Sequence, residues 1–128
     1  MRTMRKQYNL RPSEDGLKAW DVHRLVDLSK NFPIKNILLS EINEINEPYW
    51  FQDSDQQPTC AAILEHIKLI DAVDLQYPII LCADGRLMDG MHRIMKALQR
   101  DQTHIKAVQF EITPDPDFTG IPADQLPY

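Results

Sequence analysis

The sequence predicts a small mixed α/β domain in which helices cover one sheet. Apolar residues recur at helical spacing in three stretches, and shorter apolar or alternating runs lie between them. The length of 128 residues suits a single domain. Hydrophobic residues make up 43% of the chain and charged residues 26%, which excludes a wholly disordered protein. The order α-β-α-β-β-α-β favours one sheet covered by helices.

The charge distribution divides the chain into three parts. We interpret residues 1–12 as a basic arm, residues 13–112 as the domain and residues 113–128 as a proline-rich acidic tail. The arm contains four basic residues and no acidic one, and we expect it to be a flexible, solubilising terminus. Contact of the arm with an anionic partner is the alternative. No regular structure is expected after Thr113, because four of the nine prolines follow it.

In the first half of the chain the patterns predict one helix, one strand and a loop. The helix begins at about Ser13, where Glu14 and Asp15 suit a helix start, and it runs to about Lys30 before Pro33 ends it. Its apolar stripe consists of Trp20, Leu25, Val26 and Leu28. A strand follows over residues 34–39, and the acidic and aromatic segment 41–55 is predicted to be a loop.

The second half has the clearer patterns. A helix begins after Pro58–Thr59, and its predicted apolar face consists of Cys60, Ile63, Leu64, Ile67 and Ile70. Residues 78–82 suit a buried strand, and Asp84–Gly85 is a hairpin signal before a strand over 86–88. A second apolar face, Met91, Ile94, Met95 and Leu98, predicts a helix from about Gly90 to Arg100. Residues 105–112 alternate as a strand does.

The same features give expectations about location and partners. Cys60 and Cys82 lie in different predicted elements without a CxxC motif, which suits reduced thiols in a cytoplasm, a single disulfide being the alternative. The N-terminal segment lacks the apolar core of a signal peptide. The longest charge-free apolar stretch is shorter than the roughly 20 residues of a membrane span, so no membrane partner is expected. The net charge of −5 disfavours DNA binding.

The segment Asp84–Arg100 (DGRLMDGMHRIMKALQR) carries the most specific signal. Gly90 lies where a predicted strand gives way to a helix, whose unpaired amides and dipole favour a phosphate. Glycine there leaves room for a phosphate oxygen to approach the backbone. His92 and Arg93 lie in the first turn, where cations are unfavourable unless an anion is near, either a ligand or Asp89. We expect both side chains to line one cavity. In the alternative interpretation Asp89 caps the helix and pairs with Arg93 or His92 on a solvated face.

In this strand–turn–helix context the DGMHR motif resembles the G-x-H-R motif of the ParB/sulfiredoxin superfamily. The resemblance runs from about Ile34 to Ile112 and includes a Leu39–Ile42 segment after the first strand and a closing strand. It implies a stand-alone ParB/sulfiredoxin-like domain that binds phosphates of ATP, ADP or CTP through Gly90, Met91, His92 and Arg93.

Departures from the superfamily narrow the implied activity. Sulfiredoxins have a catalytic cysteine where this chain has Met91, so sulfinic acid reduction is not expected. Partition proteins of the ParB type continue into a helix-turn-helix domain, whereas 16 residues follow position 112 here, so centromere clamping by this chain alone is not expected. Free-serine kinases of the superfamily carry D-G-H-H-R, which differs from Asp89–Arg93 only at Met91. Their catalytic glutamate implies a base at Glu41 or Glu44.

The resemblance also brings in residues of the Pro58 helix and the loop before it. Thr59 and His66 are implied to help hold the nucleotide, although Thr59 also suits a helix cap and His66 a surface position. The aromatic residues Tyr49, Trp50 and Phe51 could stack on a base or pack in the core.

Three functions follow as hypotheses. The first is a phosphotransferase, such as a small-molecule kinase, or a nucleotidase, in which Mg²⁺ bridges the phosphates and Asp89 while Glu44 or Glu41 acts as base. The second is a non-enzymatic regulatory or DNA-partition-related module that binds a nucleotide and a protein partner, or a second copy as a homodimer. The third is a ParB-like nuclease, although the chain lacks a carboxylate and histidine cluster for two metals.

Overall fold

The computed structural model describes residues 7–52 and 57–128, and these residues form two sheets and three α-helices. The helices are α1 (Val22–Ser29), α2 (Cys60–Ala72) and α3 (Met91–Gln99). The strands are β1 (Tyr8–Arg11), β2 (Lys18–Asp21), β3 (Lys35–Leu38), β4 (Ile79–Leu81), β5 (Leu87–Asp89), β6 (His104–Gln109) and β7 (Phe118–Thr119). Short 3₁₀ turns cover Leu39–Glu41, Asn43–Asn46 and Ala123–Gln125. The mixed α/β class is confirmed, but the prediction of one sheet is wrong.

The second sheet joins the two ends of the described chain. Its strands are antiparallel in the order β1-β2-β7, with Leu10 opposite Ala19 and Ala19 opposite Phe118. The predicted flexible arm is therefore wrong for residues 8–11, while Arg2, Arg5 and Lys6 lie outside the described residues. The tail is likewise not devoid of regular structure, because it contains β7 and a 3₁₀ turn.

Arg11 explains why a basic segment is anchored to the domain. Its Nη2 donates to the Leu87 carbonyl at 3.2 Å, and its guanidinium lies 5.3 Å from the centre of the Trp20 ring. An arginine can bury its stem and stack its planar head while remaining charged. The net charge of this segment alone therefore led to the wrong prediction of a flexible arm.

The first helix begins later than predicted. Residues 18–21 pair with β1, and Asp21 caps α1 by accepting a hydrogen bond from the His23 amide at 2.9 Å. Ser13, the predicted start, lies in a turn closed by the Gly16 amide. Trp20 is a core residue, but it belongs to strand β2. A single buried aromatic residue fits the helical and the strand periodicity equally well, so it could not distinguish a helix from a strand here.

The larger sheet places the candidate site. Its order is β3-β6-β4-β5, in which β4 and β6 are parallel and the other pairs antiparallel. Ile79 and Leu81 pack with Ile94 of α3 on one face, whereas Ile80 packs with Leu25 of α1 on the other. Burial on both faces explains why β4 is a continuous apolar run. Strand β6, the last of this sheet in sequence order, ends at Gln109 instead of residue 112.

Helix α2 lies at the periphery of the domain. It begins after Thr59 as predicted and packs against α3, but it has no fully buried residue. Ile63, Leu64 and Ile67 are between 44% and 51% exposed. The apolar face predicted from the spacing exists, but the described part of the chain leaves it largely uncovered.

Two further expectations concerned the redox state of the cysteines and the absence of a membrane span. Cys60 is exposed, Cys82 is buried, and both are free thiols, as predicted for the reduced state. No helix in the described ranges has the length and apolar character needed to cross a membrane.

Candidate functional site

The candidate site is built around the turn between β5 and α3. Asp89 is the last residue of β5, and Gly90 is the N-cap of α3 in the left-handed region, with φ of 119°. No side chain among the described residues caps this helix, so the capping part of the alternative interpretation is wrong. The Gly90 carbonyl accepts the first helical hydrogen bond, from the Ile94 amide at 3.0 Å. The amide end of α3 thus lacks a side-chain acceptor.

Packing as well as backbone conformation requires glycine at position 90. A Cβ atom there would lie 2.5 Å from Ile79 Cγ2 and 3.0 Å from Arg93 Nη2. The space that a side chain would occupy is therefore filled by the protein itself. The expected reason for this glycine, room for a phosphate oxygen, does not apply on the Cβ side.

Arg93 and Asp89 form a buried ion pair across this turn. Arg93 Nη2 lies 2.8 Å from Asp89 Oδ2 and also donates to the Pro78 carbonyl at 3.3 Å. The two side chains are only 8% and 12% exposed, so the pair of the alternative interpretation forms inside the protein and not on a solvated face. Among the described residues, no acceptor lies within hydrogen-bonding distance of Arg93 Nε.

His92 faces a different set of residues. Its Nε2 lies 2.9 Å from Nδ1 of His66, so His66 of α2 lies beside the motif. The Trp50 ring stacks on both imidazoles, with centroid distances of 4.0 Å to His66 and 4.5 Å to His92. Phe51 meets His66 edge-on at 5.5 Å. Among the described residues, His92 thus contacts His66 and Trp50, whereas Arg93 contacts Asp89 and Pro78.

A cavity of about 250 Å³ lies beside Trp50 and His66. Asn9 and Tyr49 also line it, and the Tyr49 hydroxyl donates to Asn9 Oδ1 at 3.3 Å. Asn9 is 5% exposed, and its Nδ2 has no acceptor within the described ranges. Asn9 was missed in the sequence because it belongs to the segment interpreted as a flexible arm.

Tyr49 connects this cavity with the acidic residues of the site. Burial raises the pKa of its hydroxyl above the usual value, and the negative charges of Asp89 and Glu44 raise it further. Tyr49 therefore remains a neutral hydrogen-bond donor at ordinary pH. Its place in an aromatic run was visible in the sequence, but its partner Asn9 was not.

Glu44, one of the two predicted bases, is 2% exposed and has a structural partner. Its Oε2 accepts a hydrogen bond from the Leu87 amide at the start of β5 and lies 3.8 Å from Arg86 Nε. Arg86 also forms a two-bond pair with Glu47, and that hydrogen bonding lowers the pKa of Glu47 despite the opposing effect of burial. Glu44 thus holds the segment before the site against β5.

The remaining predicted residues have distinct positions. Glu41 is exposed in the first 3₁₀ turn, and Met91 is a buried core residue at 5% exposure. Thr59 caps α2, because its Oγ1 accepts a hydrogen bond from the Ala62 amide at 3.1 Å. Met91 thus packs in the core behind the turn.

The predicted metal position at Asp89 does not fit a protein-held ion. The Arg93 guanidinium already neutralises this carboxylate, and the described residues contain no group of three or more histidine, cysteine or acidic side chains that could hold a metal. Mg²⁺ prefers carboxylates that are open to it, together with water or phosphates.

Comparisons of this chain with family models, with curated proteins and with solved structures found no match.

Proposed function

We propose that this chain is a ParB/sulfiredoxin-like domain that binds a nucleotide in the cytoplasm. The observation that carries the proposal is the His66–His92 pair, whose ring nitrogens lie 2.9 Å apart next to the uncapped start of α3. The phosphates would bind at this helix start. His92 and His66 would donate hydrogen bonds to them, and Trp50 and Asn9 would contact the base.

The phosphate position follows from charge. The first amides of a helix and its dipole attract an anion, and an imidazole can donate to a phosphate oxygen in its neutral or its protonated form. While the two imidazoles hydrogen-bond to each other, a neutral pair keeps one N–H for a phosphate oxygen and a singly protonated pair keeps two. The predicted role of Arg93 becomes indirect, because its pairing with Asp89 supports the turn that presents these groups.

The base position follows from the cavity of about 250 Å³ beside Trp50. An indole ring offers a stacking surface to any base. Asn9 adds a polar side chain to the lining of this cavity, and its buried Nδ2 has no acceptor among the described residues. These features support a nucleotide over a simple phosphate.

A specific observation favours binding without turnover. Phosphotransferase chemistry was predicted to use Glu44 or Glu41 as base and Asp89 as metal ligand. Glu44 is instead buried against the Leu87 amide, and Asp89 is paired with Arg93. We therefore favour the regulatory module, with a protein partner or a second copy reading the bound state, over the kinase, nucleotidase or nuclease.

Calorimetric titration with ATP, ADP and CTP, with and without Mg²⁺, tests nucleotide binding. We expect saturable binding of at least one nucleotide to the unmodified chain. His92→Ala should weaken it by about 10- to 100-fold, as the loss of a charge-assisted hydrogen bond predicts. His104→Ala is the matched control, since His104 is an exposed histidine in β6 that pairs locally with Thr103.

Two results would contradict this proposal. No heat with any of the three nucleotides, from protein that keeps its folded spectrum, would overturn nucleotide binding. Equal losses in His92→Ala and His104→Ala would show that binding does not involve the helix start. A phosphate-release assay over many turnovers tests for the nucleotidase, and ADP formation with added serine or another small hydroxyl acceptor tests for the kinase; the regulatory module should give neither product.

A further inference from the structure

A second cavity lies beside α1, on the opposite face of the larger sheet from the α3 core. Its volume is about 520 Å³, within the range typical of small-molecule sites. Most of its lining is apolar and comes from α1, the segment after it, β4 and β6, with Val26, Phe32, Ile80 and Val108 as examples. Arg93 and Asp89 also line it. The side chains proposed to contact the nucleotide, His66, His92, Trp50 and Asn9, do not line this cavity.

The rim of this cavity is apolar as well. Ile34 is 57% exposed and Tyr77 is 43% exposed, and both residues line it. Large apolar side chains left open at the mouth of an apolar cavity favour a ligand with an apolar body.

Arg93 is a polar residue of the cavity lining that a ligand could contact. Its side chain is 8% exposed, and Nη2 is used by Asp89 and by the Pro78 carbonyl, whereas Nε has no acceptor in the described part of the chain. A buried guanidinium donor without a partner is costly, and an acceptor on a ligand would relieve that cost. The other buried polar group of the lining, the Ser29 hydroxyl, already donates to the Leu25 carbonyl at 2.8 Å.

The sign of the ligand charge follows from the charged residues of the lining. Asp89 neutralises one positive charge by pairing with Arg93, and Lys30 adds a second positive charge. The pairing of Lys30 with Asp27 at 3.3 Å is highly exposed and therefore weak. The cavity is left with one positive charge in excess, which suits a monoanion.

The geometry points to this cavity as the binding site of a small monocarboxylate with an apolar body. The hydrocarbon part packs among the side chains of α1, β4 and β6, and the carboxylate binds at the Arg93 guanidinium, near Lys30. This inference does not rest on nucleotide binding, although the Asp89–Arg93 pair that lines this cavity also supports the turn at the proposed nucleotide site.

Titration of the whole chain with octanoate and 2-naphthoate tests the site, with octan-1-ol and 2-naphthalenemethanol as neutral partners of the same shape. We expect saturable binding of at least one carboxylate, about tenfold or more tighter than its alcohol, because the charge-assisted hydrogen bond is lost in the alcohol. Equal affinity of carboxylate and alcohol, or no saturable binding at millimolar concentration, would overturn the inference.

Two tryptophan variants on α1 locate the ligand. Val26→Trp fills the cavity from its partly buried wall and should abolish carboxylate binding. Leu28→Trp adds the same side chain at a position on α1 that is 47% exposed and outside the lining, and it should leave binding unchanged. Retained binding in Val26→Trp would contradict the location.

The same variants distinguish this site from the nucleotide site. His92→Ala should leave carboxylate binding unchanged, and Val26→Trp should leave nucleotide binding unchanged. Loss of carboxylate binding in His92→Ala would mean that the carboxylate binds at the helix start and would overturn the second site. Failure of nucleotide binding alone would leave the carboxylate result intact.

Discussion

At the scale of single residues, the turn at Gly90 is specified by packing as much as by any ligand. Gly90 adopts a φ of 119° while Ile79 Cγ2 occupies the space of its missing Cβ. The chain therefore has only one residue type available at this position. A motif that looks like a ligand signature in the sequence is at the same time a structural necessity.

Gly90→Ala is expected to lower the free energy of unfolding by about 3 kcal/mol or more, from left-handed strain and the overlap with Ile79. Gly85→Ala is the matched control. Gly85 also has a positive φ, of 85°, but a Cβ there would meet only Gln109 Nε2, at 4.0 Å. The control should therefore show only the strain, about 1–2 kcal/mol. Urea unfolding followed by tryptophan fluorescence measures both, and equal losses would contradict the packing argument.

The Asp89–Arg93 pair gives a second prediction at this scale. Arg93→Ala leaves a mostly buried carboxylate without its cation, so we expect a loss of about 3–5 kcal/mol in stability. The double variant Asp89→Ala, Arg93→Ala should lose less than the sum of the two single variants, because each single change strands a charge. Additive losses in a thermal or urea denaturation series would mean that the pair contributes nothing as a unit.

Tyr49 gives a prediction on pH. Its folded-state pKa lies above the usual 10.0 through burial and then through the charges of Asp89 and Glu44. The unfolded state therefore loses the phenol proton first, and stability falls as the pH rises through about 10. Tyr49→Phe should reduce this alkaline loss, while at neutral pH it removes one hydrogen bond to Asn9. Urea unfolding at neutral and alkaline pH checks this, and an unchanged alkaline loss in the variant would contradict it.

At the scale of elements, the sequence allowed correct prediction of those helices and strands that local residue patterns determine. It did not allow prediction of those that depend on contacts between segments distant in sequence. The α2 and α3 helices and the β4–β5 hairpin follow their apolar spacing and turn residues, and Thr59 caps α2 as its residue type suggests. Strand β2 was mistaken for helix because its pairing with β1 and β7 is set by segments distant in sequence. The stacking of Trp50 on His66 and His92 was beyond prediction for the same reason, since it joins three separate segments.

The exposure of α2 also leads to a prediction. Leu64 is 51% exposed, so Leu64→Ala should change stability by no more than about 0.5 kcal/mol. Ile94, on α3, is fully buried, so Ile94→Ala should cost about 2–5 kcal/mol. Both changes remove a branched aliphatic side chain from a helix, which makes burial the main difference between them. A large loss in Leu64→Ala, measured by urea unfolding, would mean that this face is covered in solution.

At the scale of the whole molecule, the C-terminal segment closes the fold. The Trp20 indole donates to the Pro114 carbonyl at 2.8 Å, and the rings of Phe118 and Tyr128 pack edge-on against Tyr8. The acidic tail was predicted to have no regular structure. These contacts instead attach the tail to strands β1 and β2.

Asp117 tests that role, because both its oxygens are engaged. Oδ2 accepts a hydrogen bond from the Asp21 amide at 2.7 Å, and Oδ1 lies 3.0 Å from Arg24 Nη1. Asp117→Ala should therefore lower stability by about 1–3 kcal/mol, the cost of a lost charge-assisted hydrogen bond. Asp115→Ala removes the same charge from an exposed side chain nearby and should stay within about 0.5 kcal/mol of the parent protein. If the two variants unfold at the same urea concentration, Asp117 contributes only charge and the tail does not fasten the fold.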